Sequence, residues 1–231
     1  MIMTTINIYS LTGNIEVICT EHCEGFVDYN PRTTSESPIY HDGVVFIDWP
    51  NADCDNLAQH GYRHRSGVYS LRVAHLEKFQ VYCEMSGLRG WTVIQRRIGG
   101  QINFFRSKKE YVNGFGDLET EFWLGLQKIY LLTNQRRYKL RVSLQKADGS
   151  FVYSEYESFG INQDYVLHVS GYNGTAGDAL NYRGFGRKRL HNGMSFTTYD
   201  DDNDRWSDDN CGRSTTPGLD VTKDGVSHGE Q

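Results

Sequence analysis

Between residues 200 and 209 the chain reads DDDNDRWSDD, six carboxylates and one guanidinium in ten residues. Asp200, Asp202 and Asp204 alternate, so an extended backbone would bring all three carboxylates to one side. Hard oxygen donors gathered this way suit Ca2+, which takes oxygens from carboxylates, carbonyls and water. Without a cation the carboxylates repel and raise one another's pKa. The competing reading is a solvated acidic loop that holds no specific ion. An EF-hand loop also begins D-x-D-x-D, but it needs Gly at its sixth position and Glu at its twelfth. Here those places hold Arg205 and Cys211, which excludes that motif.

Other chemistry-bearing groups are fewer. Asn173, Gly174 and Thr175 form an N-glycosylation tripeptide in a predicted loop. Cys19, His22 and Cys23 offer three ligands of the kind zinc takes, with no evident fourth. The run RGFGRKR at 183–189 is a small basic patch, either a face that balances the acidic loop or a site for acidic glycans. Five cysteines, Cys19, Cys23, Cys54, Cys83 and Cys211, cannot all pair within one molecule. In a secreted protein the odd one is a thiol or an intermolecular bond; in a cytosolic one all five would be thiols or metal ligands. There is no G-x-S-x-G elbow, no H-E-x-x-H and no P-loop, which disfavours an enzyme.

The net charge of −5 equals the charge of residues 200–209 alone, so the remaining residues are neutral in sum. That rules out a general polyanion-binding surface, and no nucleic acid partner is expected. No apolar run is long enough to span a bilayer. The opening residues, MIMTTINIYSLTGNIEV, lack the basic and apolar regions of a secretory signal. Either the protein is not secreted, or the recorded start is internal.

These groups need elements to hold them. With 231 residues the chain fits one domain plus a ragged terminus. Residues 1–48 read as a poorly ordered leader with one strand near 44–47. A short helix is predicted at 51–59, capped by Asn51 or Asp53. Strand-period alternation marks 67–73, 79–83, 90–96, 138–144, 150–156 and 165–169, with Asp148-Gly149 as a hairpin signal. Short helices are predicted at 107–112 and 126–132. After Gly171 the patterning fades into Gly, Asn and Asp, the texture of a functional loop region. Strands and helices mix without βαβ alternation, so the fold class is α+β with a central antiparallel sheet.

Several blocks, in order, resemble one family. GWTVIQRR at 90–97, Tyr111 with Gly114-Phe115-Gly116, EFWLG at 121–125, Tyr138 with Leu140-Arg141-Val142, GYNGTAGD at 171–178 and HNGM at 191–194 followed by Phe196-Thr197-Thr198 are similar to fibrinogen-related domains, the fibrinogen C-terminal family. That group includes fibrinogen chains, ficolins, tenascins, angiopoietins and tachylectin-like lectins. The resemblance runs from about Asn51 to Cys211. It implies an N-terminal subdomain (49–90), a central sheet (91–170) and a partial calcium and ligand lobe (171–211), followed by an unrelated tail (212–231).

The resemblance also implies chemistry. It pairs Cys54 with Cys83, a closure worth roughly 3 kcal/mol, and leaves Cys211 as the odd cysteine. It assigns Ca2+ to the carboxylates of Asp202 and Asp204 and the carbonyl oxygens of Trp206 and Asp208. This chain has one residue more than the family motif between Asp204 and Asn210. The family's further cysteine, its aromatic and His pocket and its closing strand are not matched after Cys211. The expectation is a C-terminal part that is missing and a sheet with open edges, arising from a shortened transcript or gene model, or from a genuinely short protein. The implied function is an extracellular, calcium-dependent recognition module, lectin-like or receptor- and matrix-binding. Its partners would be a glycan or a cell-surface or matrix protein, with oligomers formed through an upstream region. The alternative is a non-functional or intracellular fragment of a longer protein.

Overall fold

The computed structural model describes residues 3–10, 39–41, 44–46, 53–62, 64–73, 77–181, 190–205 and 210–214. Strands β1 (Met3–Ser10), β2 (Ile39–His41) and β3 (Val44–Phe46) precede helix α1 (Cys54–Gln59). Then come β4 (Gly67–Val73), β5 (Glu77–Ser86), β6 (Arg89–Arg97), α2 (Lys108–Asn113), β7 (Phe115–Gly116), β8 (Phe122–Trp123) and α3 (Leu126–Gln135). The last elements are β9 (Tyr138–Gln145), β10 (Phe151–Ile161), β11 (Leu167–Gly174) and a short turn of helix, α4 (Cys211–Ser214).

The helices start where local chemistry starts them. Asp53 caps α1, its Oδ1 accepting the Asn56 N–H at 2.9 Å. Ser107 and Glu110 form a reciprocal capping box on α2, satisfying two N–H groups that a helix start leaves unpaired. The strands follow the alternation in the sequence. In β9, Tyr138, Leu140 and Val142 are buried while the residues between them are half-buried. At the β9–β10 hairpin Gly149 adopts φ 83°, and the Ser150 N–H and hydroxyl both donate to Asp148 Oδ1.

The strands lie in the order β11-β10-β9-β1-β6-β5-β4-β3-β2, with β7 and β8 attached to the side at β6. The described pairings are antiparallel except β3 with β4, and the class is the expected α+β. The N-terminal and central pieces drawn at residue 90 share this one sheet.

The largest difference from the sequence reading is β1. Residues 3–10 were expected in a poorly ordered leader, and open backbone edges were expected in the central sheet. Instead β1 lies between β6 and β9, antiparallel to both. Ile6 stands opposite Val142 and Ile8 opposite Leu140, so the two isoleucines of β1 share the register of β9's core face. Without β1 the described sheet would part into two halves, each with a bare edge.

The core lies between the sheet and its helices. Tyr138, Tyr156, Phe122, Leu71, Val81, Ile129 and Leu132 are among its fully buried side chains. Helix α1 packs on β6 and β5, and α3 on β10. The α1 contact explains Gly90: a Cβ there would lie 1.9 Å from the Cys54 carbonyl oxygen. Cys54 and Cys83 are joined by a disulfide across this contact, with Cα atoms 5.5 Å apart.

Candidate functional site

Helix α2 is the element that receives the acidic loop. It carries Lys108 at its first position. The Lys108 backbone N–H donates to Asp200 Oδ1 at 2.8 Å, and its Nζ donates to the Phe196 carbonyl at 2.7 Å. The same Nζ pairs with Asp201 Oδ2 at 2.8 Å. One lysine therefore fastens three points of the loop 196–201 onto the central region.

Apolar packing fastens the same loop from beneath. The Phe196 ring lies 4.9 Å from Tyr111 and 5.8 Å from Trp123, within a cluster that includes Phe115. On the surface Phe105 stacks on Tyr199 at 4.6 Å. Upstream, the loop pairs with the outer edge of β11. The Asn192 side-chain amide bonds both backbone groups of Val169 at 3.0 Å, and Leu167 exchanges hydrogen bonds with Met194 and Gly193.

The acidic run is sorted by these contacts. Thr198 and Asp201 close a tight turn through paired backbone hydrogen bonds. That turn breaks the extended alternation expected for Asp200, Asp202 and Asp204. Asp200 is engaged instead by the Lys108 N–H and by the Thr198 hydroxyl at 2.8 Å. The hydrogen bond from Lys108 holds the Asp201 carboxyl below its ordinary range, against the opposing effect of burial and with help from the Asn203 amide. Asp200 and Asp201 therefore serve to seat the loop.

Asp202 and Asp204 lie past this clamp. Asp202 is exposed, and its Oδ1 accepts the Asp204 N–H at 3.2 Å. Asp204 is half-buried, and its Oδ2 accepts the Cys211 N–H at 2.7 Å. Two amides brace the surrounding backbone. Asn203 donates to the Phe196 carbonyl and to Asp201 Oδ2, and buried Asn210 donates to the Thr198 carbonyl at 3.1 Å.

The donor chemistry fits a hard cation: two carboxylates two residues apart, on a loop seated by other groups. Among the described residues no third His, Cys, Asp or Glu joins them in a cluster suited to a metal. The remaining oxygens would have to be carbonyls or water. Trp206 and Asp208, the expected carbonyl ligands, lie outside the described residues, as do Cys19, His22, Cys23 and the basic run 183–189. Cys211 is a half-buried thiol at the start of α4. Asn173 is exposed on β11.

Sequence reasoning missed Lys108, Asn192, Asn203 and Asn210 as supports. Lys108 is remote in sequence from its carboxylate partners, and no periodicity links them. Asn192 lies in a recognised block, and Asn210 beside a cysteine; both positions were visible, their hydrogen bonds were not.

The family described as fibrinogen beta and gamma chains, C-terminal globular domain, matches residues 50–223, a span that runs past Cys211. Fibrinogen-like protein A of Apostichopus parvimensis is 42% identical over 183 residues, covering 77% of this chain and 58% of that protein. Fibrinogen C domain-containing protein 1-B of Xenopus laevis is 43% identical over 169 residues, covering 69% of this chain and 35% of that protein. The chain thus spans between about a third and three fifths of the length of these relatives. Among solved structures, the fibrinogen-like globe domain of human ANGPTL6 superposes with a TM-score of 0.62 at 38% identity, covering 69% of this chain and 68% of that one. A lamprey fibrin D-dimer complexed with the peptide Gly-His-Arg-Pro-amide gives 0.64 at 34% identity, covering 82% of this chain and 58% of that one.

Proposed function

Because the protein belongs to the family of the C-terminal globular domain of fibrinogen beta and gamma chains, we propose that it is an extracellular, calcium-dependent recognition module without catalytic activity. Its partner is a glycan or a cell-surface or matrix protein. The observation that carries the calcium reading is the sorting of the acidic run. Lys108 engages Asp200 and Asp201, while Asp202 and Asp204 stand together beyond it. Ca2+ bound there would supply positive charge to the loop. Asp202 and Asp204 would hold it through their carboxylates, with Trp206 and Asp208 as carbonyl donors. Asn203 and Asn210 would keep the backbone in place around it.

The extracellular reading is supported by the Cys54–Cys83 disulfide, since such bonds persist in oxidising compartments. The recognition reading is supported by the family. Among its structural neighbours the lamprey fibrin fragment is described with a bound peptide.

The test is thermal unfolding of the full chain with and without millimolar Ca2+. A ligand that binds only the native state at ~100 times its dissociation constant adds about 2.7 kcal/mol. The melting temperature is expected to rise with Ca2+, and the rise should vanish in Asp202→Ala and Asp204→Ala. A melt indifferent to Ca2+ would sink the metal reading and leave the fold untouched.

A further inference from the structure

Asn173-Gly174-Thr175 is the protein's single Asn-x-Ser/Thr tripeptide. It ends β11, a strand that has β10 on one side and stands last in the sheet. The outer edge of β11 is covered at its start, where Leu167 and Val169 bond the loop 192–194. Among the described residues that cover ends at Val169. Gly171 and Asn173 beyond it are exposed.

Two of the three positions have work inside the fold. A Cβ on Gly174, at φ 148°, would lie 2.3 Å from the Tyr153 carbonyl oxygen, so β10 approaches too closely for any other residue. Thr175 accepts the Tyr153 N–H on its Oγ1 at 3.2 Å and donates its own N–H to the Tyr153 carbonyl at 2.8 Å. Asn173 has no such work. Its side chain is exposed and makes no hydrogen bond to a described residue. Asparagine is also depleted in strands, so the fold gains nothing from it at this position. An uncovered strand end is a template for pairing with another molecule, and bulk or charge at such an edge prevents that.

We propose that Asn173 carries an N-linked glycan, and that this glycan shields the end of β11 beyond Val169 from intermolecular strand pairing. The proposal rests on the extracellular reading, because the transfer takes place in the secretory lumen. The co-reactant is an oligosaccharide held on a lipid diphosphate. Asn173 Nδ2 forms the new bond to the anomeric carbon, the bond from that carbon to the diphosphate oxygen breaks, and Nδ2 loses one proton. The lipid diphosphate leaves, and nothing is oxidised or reduced.

The experiment places the full chain behind a heterologous secretion signal in eukaryotic cells. Intact mass is read before and after peptide N-glycosidase, with Asn173→Gln and Thr175→Ser alongside. The expected result is added mass that the glycosidase removes, absent in Asn173→Gln and retained in Thr175→Ser. Loss of the glycan, by enzyme or by Asn173→Gln, should increase self-association in sedimentation velocity. The Cys54–Cys83 bond separates the two levels of failure. Disulfide formed without a glycan overturns the glycosylation site and leaves the extracellular reading standing. Neither disulfide nor glycan counts against the extracellular reading itself. A glycan whose removal leaves the protein equally monodisperse overturns the shielding role.

Discussion

Glu121 offers a quantitative test of how the central region holds together. Glu121 is 1% exposed, and its carboxylate accepts four backbone hydrogen bonds. Burial alone would raise its pKa. The N–H groups of Gly99, Ile102, Gly100 and Ile98 outweigh that, with three bonds to Oε1 and one to Oε2, and bring it from 4.5 to about 2. A drop of this size corresponds to roughly 3 kcal/mol of preference for the ionised form. The strand end and loop it holds face solvent, with Ile98 40% exposed, so screening trims the figure to about 2–3 kcal/mol. The folded-state pKa lies below the unfolded one. The contribution is therefore fully present above about pH 4.5 and is lost as pH falls toward 2. In Glu121→Gln the amide NH2 replaces one acceptor and faces the Ile102 N–H. Urea unfolding of both proteins from pH 2 to 7 should show the variant less stable by about 2–3 kcal/mol above pH 5, with the two curves converging toward pH 2. An offset that stays constant across the range would refute the reasoning, because it would assign the loss to packing rather than to the charge.

Three further outcomes follow from named contacts. Lys108→Met removes the bonds to Asp201 and the Phe196 carbonyl; NMR titration should show the Asp201 carboxyl pKa rising back toward the ordinary carboxylate range, with a stability loss of about 1–2 kcal/mol. Replacing Cys54 and Cys83 together by Ala removes a closure across a sequence separation of 29, and denaturant unfolding should show a loss of about 2–5 kcal/mol. Ile6→Pro deletes a ladder donor in a central strand and should cost about 3 kcal/mol or more, with hydrogen exchange accelerated in both β6 and β9.

The parts legible in the sequence are those whose cause is local. β4 is predicted at its observed bounds because its apolar residues recur at the strand period, and the start of α1 because Asp53, one of the two caps read from the sequence, is the one that caps it. β5 and β10 run longer than predicted because their ends are held by neighbours rather than by their own pattern. The acidic run is visible as charge, but its division is not. Lys108, which engages Asp200 and Asp201 and neither of the other two, lies about ninety residues away in sequence. Glu121 sits inside a recognised block, and nothing in that block says that its carboxylate gathers four N–H groups from another segment.

β1 shows why a central strand can be nearly silent in sequence. A slot between two strands is held by ladders on both sides: eight residues of β1 pair with β9 and five with β6. Those bonds are made by the backbone, which every non-proline residue supplies. What remains for side chains is an apolar type at the positions in register with the core face of β9, and in MTTINIYS only Ile6 and Ile8 supply it, opposite Val142 and Leu140. Two isoleucines two residues apart are too short a signal to separate a strand from a loop. An edge strand such as β11 depends more on what covers it, which is why Asn192 and the loop around it leave a clearer mark near Val169 than β10 alone would. The centre of this sheet therefore tolerates a weakly patterned segment. Its edge needs specific side chains, and the stretch at Asn173, which no described segment covers, is where such a side chain has a role outside the fold.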